Sequence, residues 1–302
     1  ELRLFGAAID GPRERTRTLG LDLRLSRQLY DPAFGSEAAA ARVPGDTQQI
    51  ELGPYWAYDW RPRFDVVRRI DALDYDEDVT LGVHVGARVA GRWRDETGVD
   101  DSLQPLFETT ARTVFAPTDD TYVALAASTW SRFESGGEQG RTVRGAAHAC
   151  WLGLPEQTLV FRARFDDVVE RQDLIPQLTL GEDNGLRGYP ARYLAGSRRV
   201  LLNLEDRVDT GIEVLSVNVG LAAFCDVGWM DDPDPGRGLG SPHGGVGVGL
   251  RFGSSHLVGR QVMRLDFSWP LDRDVDGGRG VSVSFAIGQV FDFLDDMTNL
   301  GR

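Results

Sequence analysis

Residues 178–196 read LTLGEDNGLRGYPARYLAG. Alternating apolar segments lie on both sides, at 157–168 and 198–209, but the stretch itself does not alternate. Hairpin loops usually have about two to five residues. A longer connection, rich in glycine and carrying Arg187, Tyr189 and Tyr193, must do more than reverse the chain. What it does depends on the sheet its neighbours build.

Those neighbours have a period of two. In VSVSFAIGQVFDF (281–293), Val281, Val283, Phe285, Ile287, Phe291 and Phe293 are apolar at the odd positions, broken only by Gln289. Ser282, Ser284, Ala286 and Gly288 occupy the alternate positions. In QVMRLDFSWPL (261–271), Met263, Leu265, Phe267, Trp269 and Leu271 alternate with Arg264, Asp266 and Ser268. GGVGVGLRF (244–252) sets Val246, Val248, Leu250 and Phe252 against Gly245, Gly247, Gly249 and Arg251. Upstream, Leu19, Leu21, Leu23 and Leu25 share one face, as do Val79, Leu81, Val83, Val85 and Val89. Each is a strand with one apolar and one polar or small face. With further strands at 1–10, 47–60, 103–117, 121–135, 140–154, 157–168, 198–209 and 216–230, the expected total is about thirteen. Short turns (117–120, 154–157) are interleaved with longer polar loops (94–102, 230–245), and 61–78 fits neither kind.

Composition narrows the class. The chain has 302 residues, 41% of them hydrophobic, with mean hydropathy -0.27. No window approaches the roughly 18 consecutive apolar residues of a spanning helix. That excludes a helical membrane protein but not a membrane barrel, whose alternating strands average to mild hydropathy. A net charge of -13 argues against nucleic acid as a partner, because phosphate binding needs a basic face. All 33 basic residues are arginine, so Schiff-base and P-loop lysine chemistry are absent.

A soluble β-sandwich also alternates, but its outward face is polar and its strands average about 5–6 residues. Here many strands reach about ten residues or more, and aromatics gather near their ends: Trp56, Tyr58 and Trp60, then Trp229, Trp269, Phe291 and Phe293. That arrangement resembles the aromatic girdles of a membrane barrel. The expected fold is all-β, an antiparallel transmembrane β-barrel of about 12–16 strands.

At GLRGYP a family resemblance becomes available. Gly185-Leu186-Arg187-Gly188-Tyr189 resembles the [VL]RG[FY] tip motif of the BamA/TamA/two-partner-secretion superfamily of outer-membrane barrels. Further segments match in order: NLEDR (203–207), FCDVG (224–228), GVGVGLRF, RLDFSWPL and the closing SFAIGQVFDF. The resemblance is strongest over 157–293. It implies one barrel domain over 1–302 with a loop of about 169–197 folded into the lumen. The POTRA modules that such barrels usually carry are not expected within these residues, a departure from the family. It also implies a last strand that closes weakly and forms a gate, with Ser284, Phe285, Gly288, Phe291 and Phe293 on it.

In such barrels the loop arginine bonds to acidic residues of the inner wall. The periodicity supplies them independently. Val200, Leu202, Leu204 and Val208 form an outer face, which turns Asn203, Glu205 and Arg207 inward. Val217, Val219, Leu221, Val227 and Trp229 do the same for the next strand, leaving Phe224 and Asp226 inside. Glu205 and Asp226 are therefore expected to receive Arg187, with Gly185 and Gly188 allowing tight turns beside it. On the same logic Cys150 faces the lumen and Cys225 the lipid, so they form no disulfide.

The function implied is insertion, assembly or translocation of proteins at the bacterial outer membrane. Partners would be outer-membrane lipid and lipopolysaccharide around the wall, and client outer-membrane or secreted proteins. The alternative is a passive pore, or the membrane anchor of a larger secreted or patatin-like protein. No enzyme is expected: no Ser/His/Asp set is recognisable, and neither His84 nor His148 has the neighbours of a zinc site. DRDVDG (272–277) opens like a calcium loop but has Val283 where the closing Glu belongs. No metal or cofactor is expected.

Overall fold

The computed structural model describes residues 2–28, 47–73, 75–96, 99–134, 137–170, 178–231, 238–254, 262–272 and 280–289. The strands are β1 (Leu2–Asp10), β2 (Arg15–Gln28), β3 (Thr47–Arg68), β4 (Asp76–Glu96), β5 (Val99–Thr118), β6 (Thr121–Glu134), β7 (Gly137–Trp151) and β8 (Gln157–Glu170). Next come two short ones, β9 (Leu178–Leu180) and β10 (Leu194–Gly196). The rest are β11 (Arg198–Val214), β12 (Val217–Met230), β13 (His243–Ser254), β14 (Val262–Pro270) and β15 (Ser282–Ile287). Thirteen of them form one antiparallel sheet in chain order, with β8 beside β11, while β9 and β10 pair only with each other.

Register follows the faces. On β11 and β12, Leu202 lies opposite Val227, Leu204 opposite Cys225 and Val208 opposite Leu221, with Asn203 opposite Asp226 between them. A slip of one residue would turn Glu205 and Asp226 to the outside, so the apolar pattern fixes where the carboxylates point. The result is an inverted protein. Leu21, Phe107, Leu204, Leu221 and Phe285 are exposed, while Asp22, Arg132, Glu205, Asp226, Arg251 and Asp266 are fully buried. Cys150 is buried and Cys225 half-buried, and both are free thiols.

The sheet curls into a barrel. Arg207 on β11 donates to Ile70 O in the β3–β4 turn at 2.9 Å, and Leu73 of that turn lies over Gly220 of β12 and Gly253 of β13. Elements so far apart in strand order meet only across a lumen. Among the described residues no ladder joins β1 to β15.

Four readings change. Val79 and Leu81 do not share the outer face of Val85 and Val89; they are buried inside. The β3–β4 register shifts between Trp60 and Arg63, and opposite it Gly82, at φ 149°, crosses so close to Trp60 O that a Cβ would lie 1.9 Å away. Such a bulge moves the chain to the other phase. Residues 94–102 are not a long loop, because β4 and β5 continue, with Arg94 opposite Ser102 and Glu96 opposite Val99. The unassigned 61–78 comprises the end of β3, a turn and the start of β4. The last strand ends at Ile287, and Phe291 and Phe293 lie outside the described residues.

Candidate functional site

Residues 178–197, within the loop from β8 to β11, lie against the inner wall. Its base is the β9–β10 ladder, and its floor is apolar: Leu180, Leu186, Tyr189, Leu201 and Met230 pack together. Asp231 closes the base by accepting hydrogen bonds from the Ser197 amide (2.8 Å), the Ser197 hydroxyl (2.5 Å) and the Arg198 amide (3.1 Å). Burial opposes ionisation of the Asp231 carboxyl, but these donors outweigh it and hold the group below its ordinary range. Arg199 donates to Asp166 (2.7 Å) and to the Thr179 carbonyl (2.6 Å), tying β8, β11 and the loop together.

At the tip the backbone turns at Gly185 (φ 103°) and Gly188 (φ 92°), a region open to glycine at little cost. Between them Arg187 is fully buried. Its Nε and Nη2 donate to the two oxygens of Asp226 at 2.7 and 2.9 Å, and its Nη1 donates to Glu205 Oε2 at 2.5 Å. The Arg187 amide reaches Asp226 as well, at 3.2 Å. The guanidinium carbon stands 3.4 Å over the ring of Phe224, so the cation has a π face on one side and carboxylates at its edge. Asn203 completes the seat, donating to Gly185 O (2.8 Å) and Asp226 Oδ1 (2.7 Å).

The network is larger than a triad. Arg207 and Arg251 also bond to Glu205 Oε1, at 2.9 and 3.2 Å. Arg251 and Arg264 bond to Asp266 at 2.5 and 2.7 Å. Three buried carboxylates thus face four arginines. Each carboxylate is satisfied by several donors, which buried charge requires.

Tyr189 anchors the outer side. Its hydroxyl lies 2.7 Å from both Gly244 O and Asp272 Oδ2 and has one proton to donate between them. Burial, then the neighbouring Asp272 carboxylate, pushes this hydroxyl above the usual phenol range, so it remains a donor. Its ring packs on Tyr193 (5.3 Å) and edge-on to His243 (6.0 Å).

Sequence reasoning named Arg187, Gly185, Gly188, Tyr189, Glu205 and Asp226, and the structure brings all six together. The expected gate residues Ser284, Phe285 and Gly288 lie elsewhere, on or just after β15. What was missed is the floor. Gly245, Gly247 and Gly249 form a smooth inner track on β13, where a Cβ would stand 2.1 Å from Arg187 O, 2.3 Å from the Phe224 ring and 2.1 Å from Asp266 Oδ1, respectively. The signal was present, since glycine recurs at every lumen position of GGVGVG. The roles of Asp266 and Arg251 depend on which strands curl together, which alternation does not state.

With this geometry in view, solved structures show a likeness of fold. CdiB from Escherichia coli aligns with a TM-score of 0.50 at 14% identity, over 95% of this chain and 52% of that one. CdiB from Acinetobacter baumannii aligns with a TM-score of 0.47 at 11% identity, over 95% and 49%. The chain therefore spans about half the length of either structure. The first likeness shows an antiparallel β-barrel fold. No protein-family model and no curated protein sequence matches the chain.

Proposed function

We propose that the chain is a protein-translocating or protein-inserting barrel of the bacterial outer membrane, akin to the BamA/TamA/two-partner-secretion group that its motif order resembles. In this reading the loop at 178–197 is a plug fixed by Arg187. One observation carries the reading most: a buried arginine–carboxylate network ties the loop to the inner wall of a sheet whose outside is apolar. An apolar outer face suits lipid, and a charged inner face suits a lumen. A loop held across that lumen suits a conduit that opens on demand better than a standing pore. Clients would be outer-membrane or secreted polypeptides, whose extended strands can pair with a sheet edge.

Two measurements together test this. In planar bilayers the full chain should conduct rarely and briefly, and Arg187→Ala should conduct steadily. In host cells lacking the protein, particular outer-membrane or secreted proteins should be depleted, as read by quantitative mass spectrometry of those fractions. Steady conductance by the unaltered protein, with an unchanged protein inventory in the deleted cells, would mark a passive pore instead.

A further inference from the structure

The loop is not the only segment that enters the lumen. At the end of the barrel where the short turns lie, the β3–β4 connection folds inward instead of reversing at the rim. Ile70, Asp71 and Leu73 are buried, and Arg69 adopts a positive φ of 67° to start the inward course. Its backbone is held by one carboxylate. Glu77, itself fully buried, accepts the amides of Ile70, Asp71 and Ala72 at 2.9, 3.0 and 3.2 Å through a single oxygen. Three convergent amides on a carboxylate fix a backbone shape that no side-chain packing alone would specify.

The segment then reaches several parts of the wall at once. Ile70 packs with Val79, Leu81, Tyr122, Cys150 and Val160, on β4, β6, β7 and β8. Thr158 on β8 donates to Arg69 O at 2.8 Å. Leu73 lies against β12 and β13 where both are glycine: a Cβ at Gly220 would stand 2.6 Å from Leu73 Cδ2, and one at Gly253 would stand 3.4 Å from Leu73 Cβ. Gln289, just past β15, donates to Asp71 O at 2.8 Å. Arg207 donates to Ile70 O at 2.9 Å, and its Nε bonds to the Glu205 that also receives Arg187.

We infer that residues 69–73 are a strap that closes the lumen at the end opposite the loop. We further infer that Arg207 couples strap and loop through Glu205, so that release of one loosens the other. The inference rests on the barrel reading above but not on any client or transport activity. It explains why a second apolar cluster, separate from the one under the loop, sits inside the lumen: Ile70 needs a dry seat. It also explains glycine at 220, where a Cβ would stand 2.6 Å from Leu73 Cδ2.

Position is tested first. In the full chain with Cys150→Ala and Cys225→Ala, the pair Leu73→Cys and Gly253→Cys should form a disulfide under mild oxidation. A Cβ at 253 would stand 3.4 Å from that of residue 73, at the short end of the about 3.5–4.5 Å a disulfide spans. Absence of the bond in a folded, heat-modifiable barrel would overturn the strap. Coupling is tested through Cys150, which shares the buried apolar cluster with Ile70 and has no exposed surface. With Cys225→Ala as the only change, a water-soluble maleimide should label Cys150 slowly. Adding Arg187→Ala should raise that rate by roughly an order of magnitude as local opening becomes easier. Asp226→Asn, which weakens the hold on Arg187 without touching Glu205, Arg207 or the strap, should raise it less and serves if Arg187→Ala does not fold. Rates unchanged in every folded variant would overturn the coupling, whether or not the protein translocates anything.

Discussion

Among the arginine–carboxylate clusters inside this barrel, one on β2–β5 and one on β11–β14 invite comparison. In the first, Arg24 makes a bidentate pair with Glu108 (2.9 and 3.0 Å), and Arg88 bridges Glu51 and Glu108 at 3.1 Å. In the second, Arg187 grips Asp226 and Glu205 at comparable distances. The bonding is alike but the cover is not. The side chains of Arg24, Glu51 and Glu108 are 24, 16 and 19% accessible, against 1% or less for Arg187, Glu205 and Asp226. In the first cluster Asp22 and Arg88 are buried as well. Water nevertheless reaches Arg24, Glu51 and Glu108 and screens their pairs toward the value of surface bridges, about 0–1 kcal/mol, whereas stripping one partner from a dry pair costs about 3–5 kcal/mol. The loop therefore does not merely add an arginine to the wall. By covering the site it changes what each charge there is worth.

That contrast can be broken at four points, in order of decreasing effect. Arg187→Ala leaves two carboxylates without their shared cation and should cost the loop about 3–5 kcal/mol of attachment, read as protease cleavage within 178–197 in a barrel that stays heat-modifiable. Gly245→Ala should cost about 1–3 kcal/mol by forcing the loop off β13, since its Cβ would meet Arg187 O. Thermal melting reads that cost, and Gly145→Ala, with nothing near its added carbon, is the neutral comparison. Arg24→Ala should cost less than Arg187→Ala, because water and Arg88 remain to serve its carboxylates, and should leave the loop as protected as in the unaltered protein.

The smallest effect is a pH dependence at the loop base. The Asp231 carboxyl is held below its ordinary range, so its contribution is complete above the unfolded value of about 3.9 and is lost as pH falls through the lowered folded value. Exchange of the Ser197 and Arg198 amides, corrected for intrinsic rate, should thus be flat from neutral pH down to about 4 and quicken only below it. A rise already near neutral pH would mean that another group carries the base.

Most of this wall was legible because alternation states both the strand and its face. Leu202, Leu204 and Val208 were enough to turn Glu205 inward, and the neighbouring strand did the same for Asp226. The glycine track on β13 could be seen but not interpreted, since the same pattern serves a bulge, a close approach or a weak strand. The β4 phase change was hidden because Gly82 breaks an alternation whose apolar residues continue on both sides of it. The strap at 69–73 was illegible for another reason. Ile70 and Leu73 look like stray apolar residues in a charged turn, and their partners on β7, β12 and β13 are distant in sequence. Periodicity reports what neighbours along a strand share, not what meets across a lumen.

The most direct measurement is hydrogen exchange of the amides of residues 185–189 in the unaltered protein. The Leu186 amide bonds to Gly181 O at 2.9 Å and the Arg187 amide to Asp226, with both residues buried. Protection comparable to that of β11 and β12 is expected, and its loss in Arg187→Ala. Exchange in the unaltered protein as fast as in an unstructured peptide would contradict a loop locked inside the barrel.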